Sequence, residues 1–467
     1  MNSAHASVDP LGAPEEANRI FASVFGEEAD IERLASSRIF LMRGVDRQPL
    51  AAAAMEPMGV RTWYVWLFAV KEEYRGQGVG RRLLDEVTSS VKSEDGGSLH
   101  LKTYQRFDSM RRLLQRSGWF LLGAEMSERH DGVGEIWQIP LTDKPLGIAV
   151  IGANPAGRGG EWAKRILELP RLWELRGVVD PNDRVRQTWS QQGVRAFADV
   201  RTMVLETRPR AILVAVPPMQ ATAVQAECIS LGLPMLVEKP FAGSLAELAG
   251  LQRMLTANPV PFVLAVQRRS HPSYVALRCA IRKQRVRDLS IRLLLGRPAD
   301  DRPAGHRGDR SLCRGGALLD LGYHALDLVH FLLDSPLEMV SCSLSAGNDL
   351  AVGIESAAQL LGRCGPSWVR LQIDRHGPAK TEEVMVRTDE GVWKADRECV
   401  WAPDGSVFYE CKGSWESAEL GKLAELAVVS HHPASSPGDL WDQLAAFELI
   451  ERAYASSHIQ GLEGACG

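Results

Sequence analysis

The sequence predicts an α/β fold class in three consecutive parts: an α+β domain, a doubly wound domain around a parallel sheet, and an α+β lobe with a largely antiparallel sheet. The chain has 467 residues, which at roughly 100 to 200 residues per domain corresponds to two or three cores. Two separate segments each show a strand, a glycine-rich turn and a helix. Beyond about Val286, several strand patterns follow one another, which is typical of an antiparallel sheet.

The composition is that of an ordinary globular protein, with 45% hydrophobic and 24% charged residues. A net charge of -4 gives no bulk electrostatic reason to bind nucleic acid or an anionic membrane. No run approaches the roughly 18 apolar residues of a membrane-spanning helix. Eight cysteines without CxxC spacing indicate reduced thiols. We therefore expect a cytoplasmic protein that binds neither nucleic acid nor membrane.

The same scan predicts no metal site, because no His/Cys cluster has the spacing of a zinc site. His431 and His432 stand in a Ser/Pro-rich stretch without an obvious third ligand.

The first domain is predicted from a regular succession of short elements. In order, they are a helix (ANRIFASVFG), a hairpin (RIFLMRG and PLAAAAM), a β-rich stretch (VRTWYVWLFAV), a long helix from about Gln77, a strand (SLHLKTY), a helix (SMRRLLQRSG) and a closing strand (GEIWQIPL).

A glycine turn stands between the β-rich stretch and the long helix. Gly78 and Gly80 carry no side chain, so an anion can approach the free backbone N–H groups at the positive end of the helix dipole. The Arg-x-x-Gly-x-Gly turn, the following RRLL and the later SGWF resemble the GNAT N-acetyltransferase family over roughly 17–140. The resemblance implies acetyl-CoA as co-substrate, with its pantetheine arm along the strand and its pyrophosphate at the turn. The residues so implied are Phe68, Val70, Arg75, Gly76, Gly78 and Gly80.

The general acid that is common in that family is absent at the corresponding position of this sequence. Many members carry a tyrosine four residues before the Gly-aromatic pair as general acid for the CoA thiolate, and this position is Leu114. Protonation of the thiolate must come from elsewhere, from Tyr104 or from water. Glu72 and Glu73 stand where a base is conceivable, but surface carboxylates beside a helix are usually only solvated. Acetyl transfer can run mainly by positioning the amine, so a missing acid does not exclude activity.

The second region alternates strands and helices, with buried strands in GIAVIG, LRGVVD, AILVAV and PMLVEKP. Its glycine turn, Gly152-x-Asn154-x-x-Gly157, has asparagine where a dinucleotide-binding turn usually has glycine. Asp180 ends the next strand 28 residues after Gly152. A carboxylate there accepts hydrogen bonds from both ribose hydroxyls and repels a 2′-phosphate, which favours NAD(H) over NADP(H). Asp180 as a simple turn residue before Pro181 is the alternative.

Further motifs resemble the Gfo/Idh/MocA oxidoreductase family, with its Rossmann domain, over about 146–461: AILVAVPPM, Glu238-Lys239-Pro240, and the Asp320-x-Gly-x-His324-x-x-Asp run. Asp320 and His324, at i and i+4, share one face of the predicted helix. The resemblance implies that they meet Lys239 over the nicotinamide, with His324 passing a proton while Lys239 and Asp320 orient the substrate. The residues implied to bind the cofactor are Gly152, Asn154, Gly157, Asp180, Pro217 and Glu238.

The predicted division is 1–143 for the GNAT-like domain, 144–267 for the Rossmann domain and 268–467 for the α+β lobe with its C-terminal helix. We expect a bifunctional enzyme that couples NAD(H)-dependent oxidoreduction, either of C=N or of alcohol and ketone, to N-acetylation of a small amine, imine, hydrazone or amino sugar, in secondary metabolism. The antiparallel sheet is a candidate homodimer interface by family resemblance. The polar segment 297–316 is predicted as an active-site loop or a disordered one.

Two alternatives remain. In the first, the large lobe is a non-catalytic NAD-binding sensor or scaffold, which is favoured by Asn154 and by Ala221, a position where the family commonly has histidine. In the second, the large lobe is a receptor that serves an active acetyltransferase. Lys239, Asp320 and His324 oppose the sensor or scaffold.

Overall fold

The computed structural model describes residues 7–9, 13–126, 133–298, 307, 309–346, 354–377, 379–411, 418–428, 437–457 and 459–460. The chain forms two compact units. The first unit comprises Met1–Gly123, Gly134–Lys144 and Gly413–His432, and the second comprises Ala124–Val133, Pro145–Lys412 and Pro433–Gly467.

The first unit contains a seven-stranded sheet in the order β1-β2-β3-β4-β5-β7-β6. Its described neighbours run antiparallel except for the parallel pair β4 and β5. The N-terminal elements are β1 (Ser7–Asp9), α1 (Pro14–Phe25), α2 (Ile31–Ser36), β2 (Arg38–Arg43), β3 (Pro49–Gly59), β4 (Thr62–Val70), a 3-10 turn (Glu72–Tyr74), α3 (Val79–Ser93), β5 (Ser98–Tyr104), α4 (Asp108–Arg116), β6 (Phe120–Met126) and β7 (Val133–Pro140).

Both faces of this sheet are covered, because successive side chains of a strand point to opposite faces. In β3, Ala52 and Ala54 pack in one apolar cluster with Ile20 and Phe21 of α1. Ala51 and Ala53 pack in the other cluster, which also holds Leu83, Leu84 and Val87 of α3. The small alanines let helices lie close to the sheet on both sides.

The second unit begins with a six-stranded parallel sheet in the order β10-β9-β8-β11-β12-β13. This is the strand order of a doubly wound dinucleotide-binding fold, with its switch point between β8 and β11. The elements are β8 (Leu146–Ile151), α5 (Arg158–Leu167), β9 (Trp173–Val179), α6 (Asp183–Gln191), β10 (Ala196–Phe197), α7 (Val200–Thr207), β11 (Ala211–Val214), α8 (Pro218–Leu231), β12 (Met235–Val237), α9 (Leu245–Ala257) and β13 (Phe262–Leu264).

A nine-stranded sheet follows, in the order β21-β20-β19-β18-β14-β17-β16-β15-β22, and among its described strand pairs only β14–β17 and β15–β22 are parallel. The predicted fold class is therefore confirmed. The elements are α10 (Gln267–Ser270), α11 (Pro272–Ile281), β14 (Val286–Arg297), α12 (Arg310–Cys313), a π-helical turn (Leu318–Gly322), α13 (Tyr323–Leu333), β15 (Glu338–Ser345), β16 (Ala357–Cys364), β17 (Ser367–His376), β18 (Thr381–Thr388), β19 (Gly391–Ala395), β20 (Cys399–Trp401), β21 (Val407–Glu410), α14 (Ala418–Val428), α15 (Pro437–Ser456) and β22 (Ile459–Gln460).

One of these late helices, α14, belongs to the first unit. A Cβ at Gly421 would lie 2.9 Å from the ring of Phe120 in β6, so the helix packs closely there. Arg61 donates to the carbonyl oxygen of Val428 at 2.7 Å. The sequence placed this helix in the lobe 268–467, since its apolar pattern does not say which sheet it covers.

The helical stretch Ser311–Leu333 is, by length and composition alone, the one candidate membrane span among the described residues. Because 78% of its apolar window is buried inside the protein, it has the character of a core helix.

Candidate active sites

The glycine turn of the second unit lies between β8 and α5. Gly152 has φ of +80°, and a Cβ there would lie 2.4 Å from the carbonyl oxygen of Ala215. A Cβ at Gly159 would lie 2.0 Å from the carbonyl oxygen of Gly152, so Gly159 allows the close packing of α5 on the turn. At Gly157 a Cβ would come no closer than 3.4 Å to any neighbour, here the carbonyl oxygen of Asn154. Close packing of helix and turn thus depends on Gly159 and also on Gly160, where a Cβ would lie 2.4 Å from the carbonyl oxygen of Asn154, and the motif singled out neither glycine.

The other residues predicted to bind the cofactor lie at the carboxyl ends of the parallel strands, where doubly wound folds bind ligands. The Asn154 side chain accepts a hydrogen bond from the amide of Ala156 at 3.0 Å, so one amide of the turn is already used. Asp180 follows β9 directly and accepts from the amide of Asn182 at 2.9 Å. Burial raises the pKa of the Asp180 carboxyl. Pro217 lies between β11 and α8.

Glu238 joins the glycine turn to the segment that carries Lys239. It follows β12 and accepts from the indole N–H of Trp162 at 2.7 Å and from Nε of Arg158 at 3.1 Å. Arg158 is the first residue of α5. Burial opposes the charge on Arg158, but Glu238 and Glu161 outweigh it and raise its pKa.

Lys239 and Asp320, both predicted to be catalytic, are in direct contact. The Lys239 ammonium lies 2.6 Å from Oδ1 of Asp320 and 2.7 Å from its carbonyl oxygen. Arg307 donates from Nε to Oδ2 of Asp320 at 2.6 Å. Burial opposes ionisation of Asp320, but Lys239 and Arg307 overcome this and hold its pKa well below the usual value. Arg307 lies in the polar segment 297–316, of which 299–306 and 308 lie outside the described residues.

The backbone that carries Asp320 is a π-helical turn rather than the regular helix that the i, i+4 spacing predicts. Such turns are rare and occur frequently at functional sites. The buried Glu355 carboxylate secures its start, accepting from the amides of Gly316 at 3.0 Å and Leu318 at 2.9 Å and from the Tyr454 hydroxyl at 2.7 Å. Burial raises the pKa of Glu355.

His324 is buried in the first turn of α13. Burial has the largest effect on its pKa and lowers it well below the usual value. The charges of Arg268 and Lys239 lower the pKa further, and the charge of Asp320 raises it. The imidazole is therefore neutral at pH 7. Its Nδ1 has no hydrogen-bond partner among the described residues. The structure thus places His324 within the electrostatic reach of the Lys239–Asp320 pair.

A second buried cluster is centred on Glu382 of β18. Its carboxylate accepts from Arg268 at 2.7 and 2.9 Å, from Nε of Arg397 at 2.9 Å and from the Tyr274 hydroxyl at 2.6 Å. Burial opposes ionisation, but the two arginines lower the pKa of Glu382 to about 2. Burial and the charge of Arg397 lower the pKa of nearby His271 to about 3. The sequence did not predict this cluster, since Arg268 and Glu382 lie 114 residues apart.

The glycine turn of the first unit opens α3. Gly76 and Gly78 have φ of +73° and +77°, and a Cβ at either would meet nothing within 4 Å. Arg75 donates from Nε to the carbonyl oxygen of Val70 at 3.1 Å, which ties the turn to β4. A Cβ at Gly80 would lie 3.3 Å from Val70. The first N–H groups of a helix lack intrahelical partners, so this open turn presents donors to an anion.

Beside that turn, β4 and β5 separate. Their pairing extends from Thr62 to Val65 of β4, although β4 continues through Phe68 to Val70. Tyr104 ends β5, and its ring lies 5.8 Å from Nζ of Lys102 and 5.5 Å from the guanidinium of Arg106. Leu114 is fully buried, so it only packs in the core.

The first unit also contains a buried polar contact that sequence reasoning missed. Glu425 of α14 lies 2.8 Å from Nε2 of His100 and accepts from the Ser98 hydroxyl at 2.8 Å. His100 and Glu425 are 325 residues apart, so no local pattern marks the pair.

Family profiles match three stretches of the chain. The acetyltransferase (GNAT) family matches 13–119, the NAD-binding Rossmann fold of an oxidoreductase family matches 146–265, and the GFO/IDH/MocA C-terminal domain matches 285–392. The chain is a fusion of a GNAT-family domain with a Gfo/Idh/MocA-family oxidoreductase. Both parts belong to enzyme families.

Known proteins resemble the oxidoreductase part. The rhizopine catabolism protein MocA of Rhizobium meliloti is 25% identical over 307 residues, which cover 65% of this chain and 93% of MocA. GenD2 from gentamicin A biosynthesis, solved with NAD, is 21% identical at TM-score 0.54, covering 67% of this chain and 94% of GenD2.

Two further structures share this fold. WlbA dehydrogenase from Bordetella pertussis, with NADH and UDP-GlcNAcA, is 16% identical at TM-score 0.54, covering 67% of this chain and 96% of WlbA. The 3-ketoreductase KijD10 from Actinomadura kijaniata, with NADP and TDP-benzene, is 14% identical at TM-score 0.55, covering 68% of this chain and 99% of KijD10.

Among the described residues of the fusion protein, no group of three His, Cys, Asp or Glu side chains is placed to hold a metal ion. His431 and His432 lie outside the described residues. Of the predicted oxidoreductase residues, the structure brings Lys239, Asp320 and His324 to one site. The contributions of Arg158, Gly159, Arg307 and Glu355 become apparent only in three dimensions.

Proposed function

We propose that the protein is a bifunctional enzyme that couples NAD(H)-dependent oxidoreduction of a small metabolite to acetyl-CoA-dependent N-acetylation of an amine. The observation that carries the proposal is the contact of Lys239 with Asp320 beside the buried, neutral His324. A cation, a carboxylate and a neutral imidazole are the groups needed to hold a substrate and move a proton.

The residues of the glycine turn fit a dinucleotide. Gly152, with φ of +80°, lets the turn lie close to the backbone of Ala215 after β11, and Asp180 stands at the end of the next strand. The carboxylate supports NAD(H) over NADP(H), because it repels a 2′-phosphate. GenD2 and WlbA were solved with NAD and NADH, and KijD10 with NADP. When bound, NAD accepts or supplies the hydride.

Because His324 is neutral and can accept a proton, the site favours oxidation of an alcohol. The neutral His324 takes the hydroxyl proton as the hydride leaves the adjoining carbon, and a C=O bond forms. Lys239 holds the substrate oxygen while Asp320 fixes the ammonium. Reduction of a C=N bond is the reverse type of step, in which carbon receives the hydride and nitrogen a proton.

In the GNAT part, the amine nitrogen attacks the thioester carbonyl of acetyl-CoA, loses a proton and forms an amide, while CoA leaves as a thiolate that takes up a proton. The separated ends of β4 and β5 give the pantetheine arm a place beside Phe68 and Val70. The turn with Arg75, Gly76, Gly78 and Gly80 receives the pyrophosphate. Tyr104, at the end of β5, is the proposed proton donor to the thiolate.

The substrate class is proposed as a small amine, imine, hydrazone or amino sugar. WlbA, solved with the sugar nucleotide UDP-GlcNAcA, supports a sugar-like compound. GenD2 supports a role in secondary metabolism. A cytoplasmic location and a homodimer through the nine-stranded sheet belong to the same proposal, with neither nucleic acid nor membrane as a partner.

The first test is a fluorescence titration of the full chain with NADH and with NADPH. We expect NADH to bind about ten-fold more tightly. Asp180→Ala removes this preference, whereas Asp183→Ala, at an exposed position in α6, retains it. Saturable binding of neither cofactor would contradict the oxidoreductase proposal.

A second candidate function is an NAD-binding sensor without chemistry. It is favoured by Asn154, whose side chain uses the Ala156 amide of the glycine turn. A sensor would bind NADH yet catalyse no hydride transfer with any sugar or amine of the proposed class.

A further inference from the structure

A short chain of hydrogen bonds runs from the buried Glu355 to the proposed oxidoreductase site. The Glu355 carboxylate accepts from the Gly316 amide at 3.0 Å. The Gly316 carbonyl oxygen accepts from the Asp320 amide, also at 3.0 Å. The Asp320 carbonyl oxygen in turn accepts from the Lys239 ammonium at 2.7 Å. Backbone groups thus connect a buried carboxylate to the cation that the proposed function assigns to the substrate.

Glu355 holds this backbone at three successive residues. Its carboxylate binds the amides of Gly316 and, at 2.9 Å, of Leu318, and its carbonyl oxygen accepts from the Ala317 amide at 3.0 Å. Amides at the start of a helix lack intrahelical partners, so Glu355 supplies the acceptors they need. A Cβ at Gly316 would lie 1.9 Å from the Glu355 carbonyl oxygen. Glycine is therefore required for so close an approach.

Tyr454 of α15 fixes the Glu355 carboxylate in turn. Its hydroxyl donates to Oε1 of Glu355 at 2.7 Å. A Cβ at Gly315 would lie 2.3 Å from that hydroxyl oxygen, so Tyr454 also packs directly on the turn. The Glu355 side chain is buried, and any displacement of its carboxylate would leave buried donors without their partner, which is costly.

The position of this backbone matters because Asp320 binds the Lys239 ammonium at two points. One is Oδ1 of the side chain, at 2.6 Å, and the other is the carbonyl oxygen. The side-chain carboxylate can turn about its own bonds, whereas the carbonyl oxygen moves only with the backbone. The place of the ammonium is therefore set partly by the π-helical turn itself.

We infer that Glu355 and Tyr454 are positioning residues of the oxidoreductase site. They hold the π-helical turn so that the Asp320 carbonyl oxygen fixes the Lys239 ammonium. The inference rests on the proposed function, in which Lys239 holds the substrate oxygen. Both residues act through the backbone of the turn, and the C-terminal helix α15 thereby contributes to the site.

The test examines Lys239 itself and needs neither substrate nor cofactor. The full chain receives a brief pulse of acetic anhydride, and mass spectrometry compares acetylation of Lys239 with that of Lys283 and Lys394, two exposed lysines of the same unit. Only an amine released from its proton and its hydrogen bonds reacts, so the contact with Asp320 protects Lys239. Hydrogen exchange over 316–322 reports on the turn in the same samples.

Two conservative variants loosen the turn. Tyr454→Phe removes one donor to the carboxylate, and Glu355→Gln replaces one acceptor oxygen by a donor. We expect acetylation of Lys239, relative to the exposed lysines, to rise about five-fold in each, with faster exchange in the turn. The control is Tyr274→Phe, which removes a buried hydroxyl that donates to Glu382 at 2.6 Å in the same unit. It should behave as the parent chain does.

The two measurements separate positioning from structural support. Faster exchange in the turn with unchanged acetylation of Lys239 would leave Glu355 and Tyr454 a structural role only and overturn the inference. It would also be overturned by acetylation that rises without faster exchange, by no change in either reading, or by an equal rise in Tyr274→Phe. Failure of the parent chain to bind NADH would contradict the proposed function instead, and the acetylation result does not depend on it.

Discussion

The two candidate sites of this protein differ in composition: one consists mainly of charged side chains and the other mainly of backbone. In the oxidoreductase part, charged side chains from distant segments contact one another, as Lys239, Asp320 and Arg307 do within 2.6 Å. In the GNAT part, the site is mainly backbone: two glycines with positive φ at the start of α3, and two parallel strands that separate beyond Val65.

This difference follows from the two proposed reactions. Hydride transfer to or from a C–O or C–N bond requires a proton to move with it, so the site needs groups with adjusted pKa values. Acetyl transfer between a thioester and an amine gains much of its rate from holding the two reactants together. We therefore expect side-chain changes to dominate in the oxidoreductase part, and changes to backbone and packing to dominate in the GNAT part.

The largest effect is expected for His324→Asn, which removes the proposed proton acceptor. Oxidation should slow by about 10²- to 10⁴-fold in kcat. In the parent chain the lowered pKa keeps His324 neutral at pH 7, so activity should fall only when the pH drops well below 6.5. His330→Asn, on the same helix, is the control. An unchanged kcat in His324→Asn, or a parent pH profile that already falls near pH 7, would contradict this role.

A backbone change in the oxidoreductase part tests whether its glycine turn also depends on close backbone packing, as we expect for the GNAT part. Gly159→Ala places a methyl group 2.0 Å from the carbonyl oxygen of Gly152, so α5 must shift away from the turn. We expect a loss of about 1 to 3 kcal/mol in stability, with weaker NADH binding. Gly250→Ala in α9, where the nearest atom is 3.9 Å away, is the control. Equal NADH affinity and equal melting temperature in the two variants would show that the close approach is unimportant.

The sequence predicted much of this architecture because most of its signals are local. Apolar strands, the two glycine turns and the order of elements are all encoded within short windows, and so are Lys239, Asp320 and His324 by resemblance to a family motif. The GRGG run hid which glycines allow close packing, because Gly157, Gly159 and Gly160 look alike in the sequence. Short strands such as β10 and β13 were missed, since two or three residues carry no period.

Long-range partnerships outside the family motif could not be predicted. Glu382 takes its partners from positions 268, 274 and 397, and regular patterning does not mark ion pairs across such separations. The π-helical turn at Asp320 was also beyond reach, since its start is held by Glu355 and Tyr454, which are remote in sequence. The unit to which α14 belongs could not be predicted either, because its apolar residues would pack against any of the sheets.

A comparable loss of stability, without a change in NADH binding, is expected when α14 is altered, and it tests whether packing governs the GNAT part. Glu425→Ala leaves Ser98 and the buried His100 without the carboxylate that lies 2.8 Å from each. Removing one partner of a buried polar contact costs about 1 to 3 kcal/mol. Hydrogen exchange should therefore become faster in β5 and its neighbour β7, while β8 and β11 keep their protection. Glu86→Ala, at an exposed position in α3, should change neither set.

The outcome separates a local role of α14 from a general one. Faster exchange confined to β5 and β7, together with weaker acetyl-CoA binding by calorimetry and unchanged NADH binding, would show that a helix encoded some 300 residues after β5 stabilises the acetyl-CoA site. Faster exchange in both sheets would mean that Glu425 supports the whole chain. Unchanged exchange in β5 would mean that the buried contact contributes little, since the Ser98 hydroxyl and the His100 ring would then find other partners at no measurable cost.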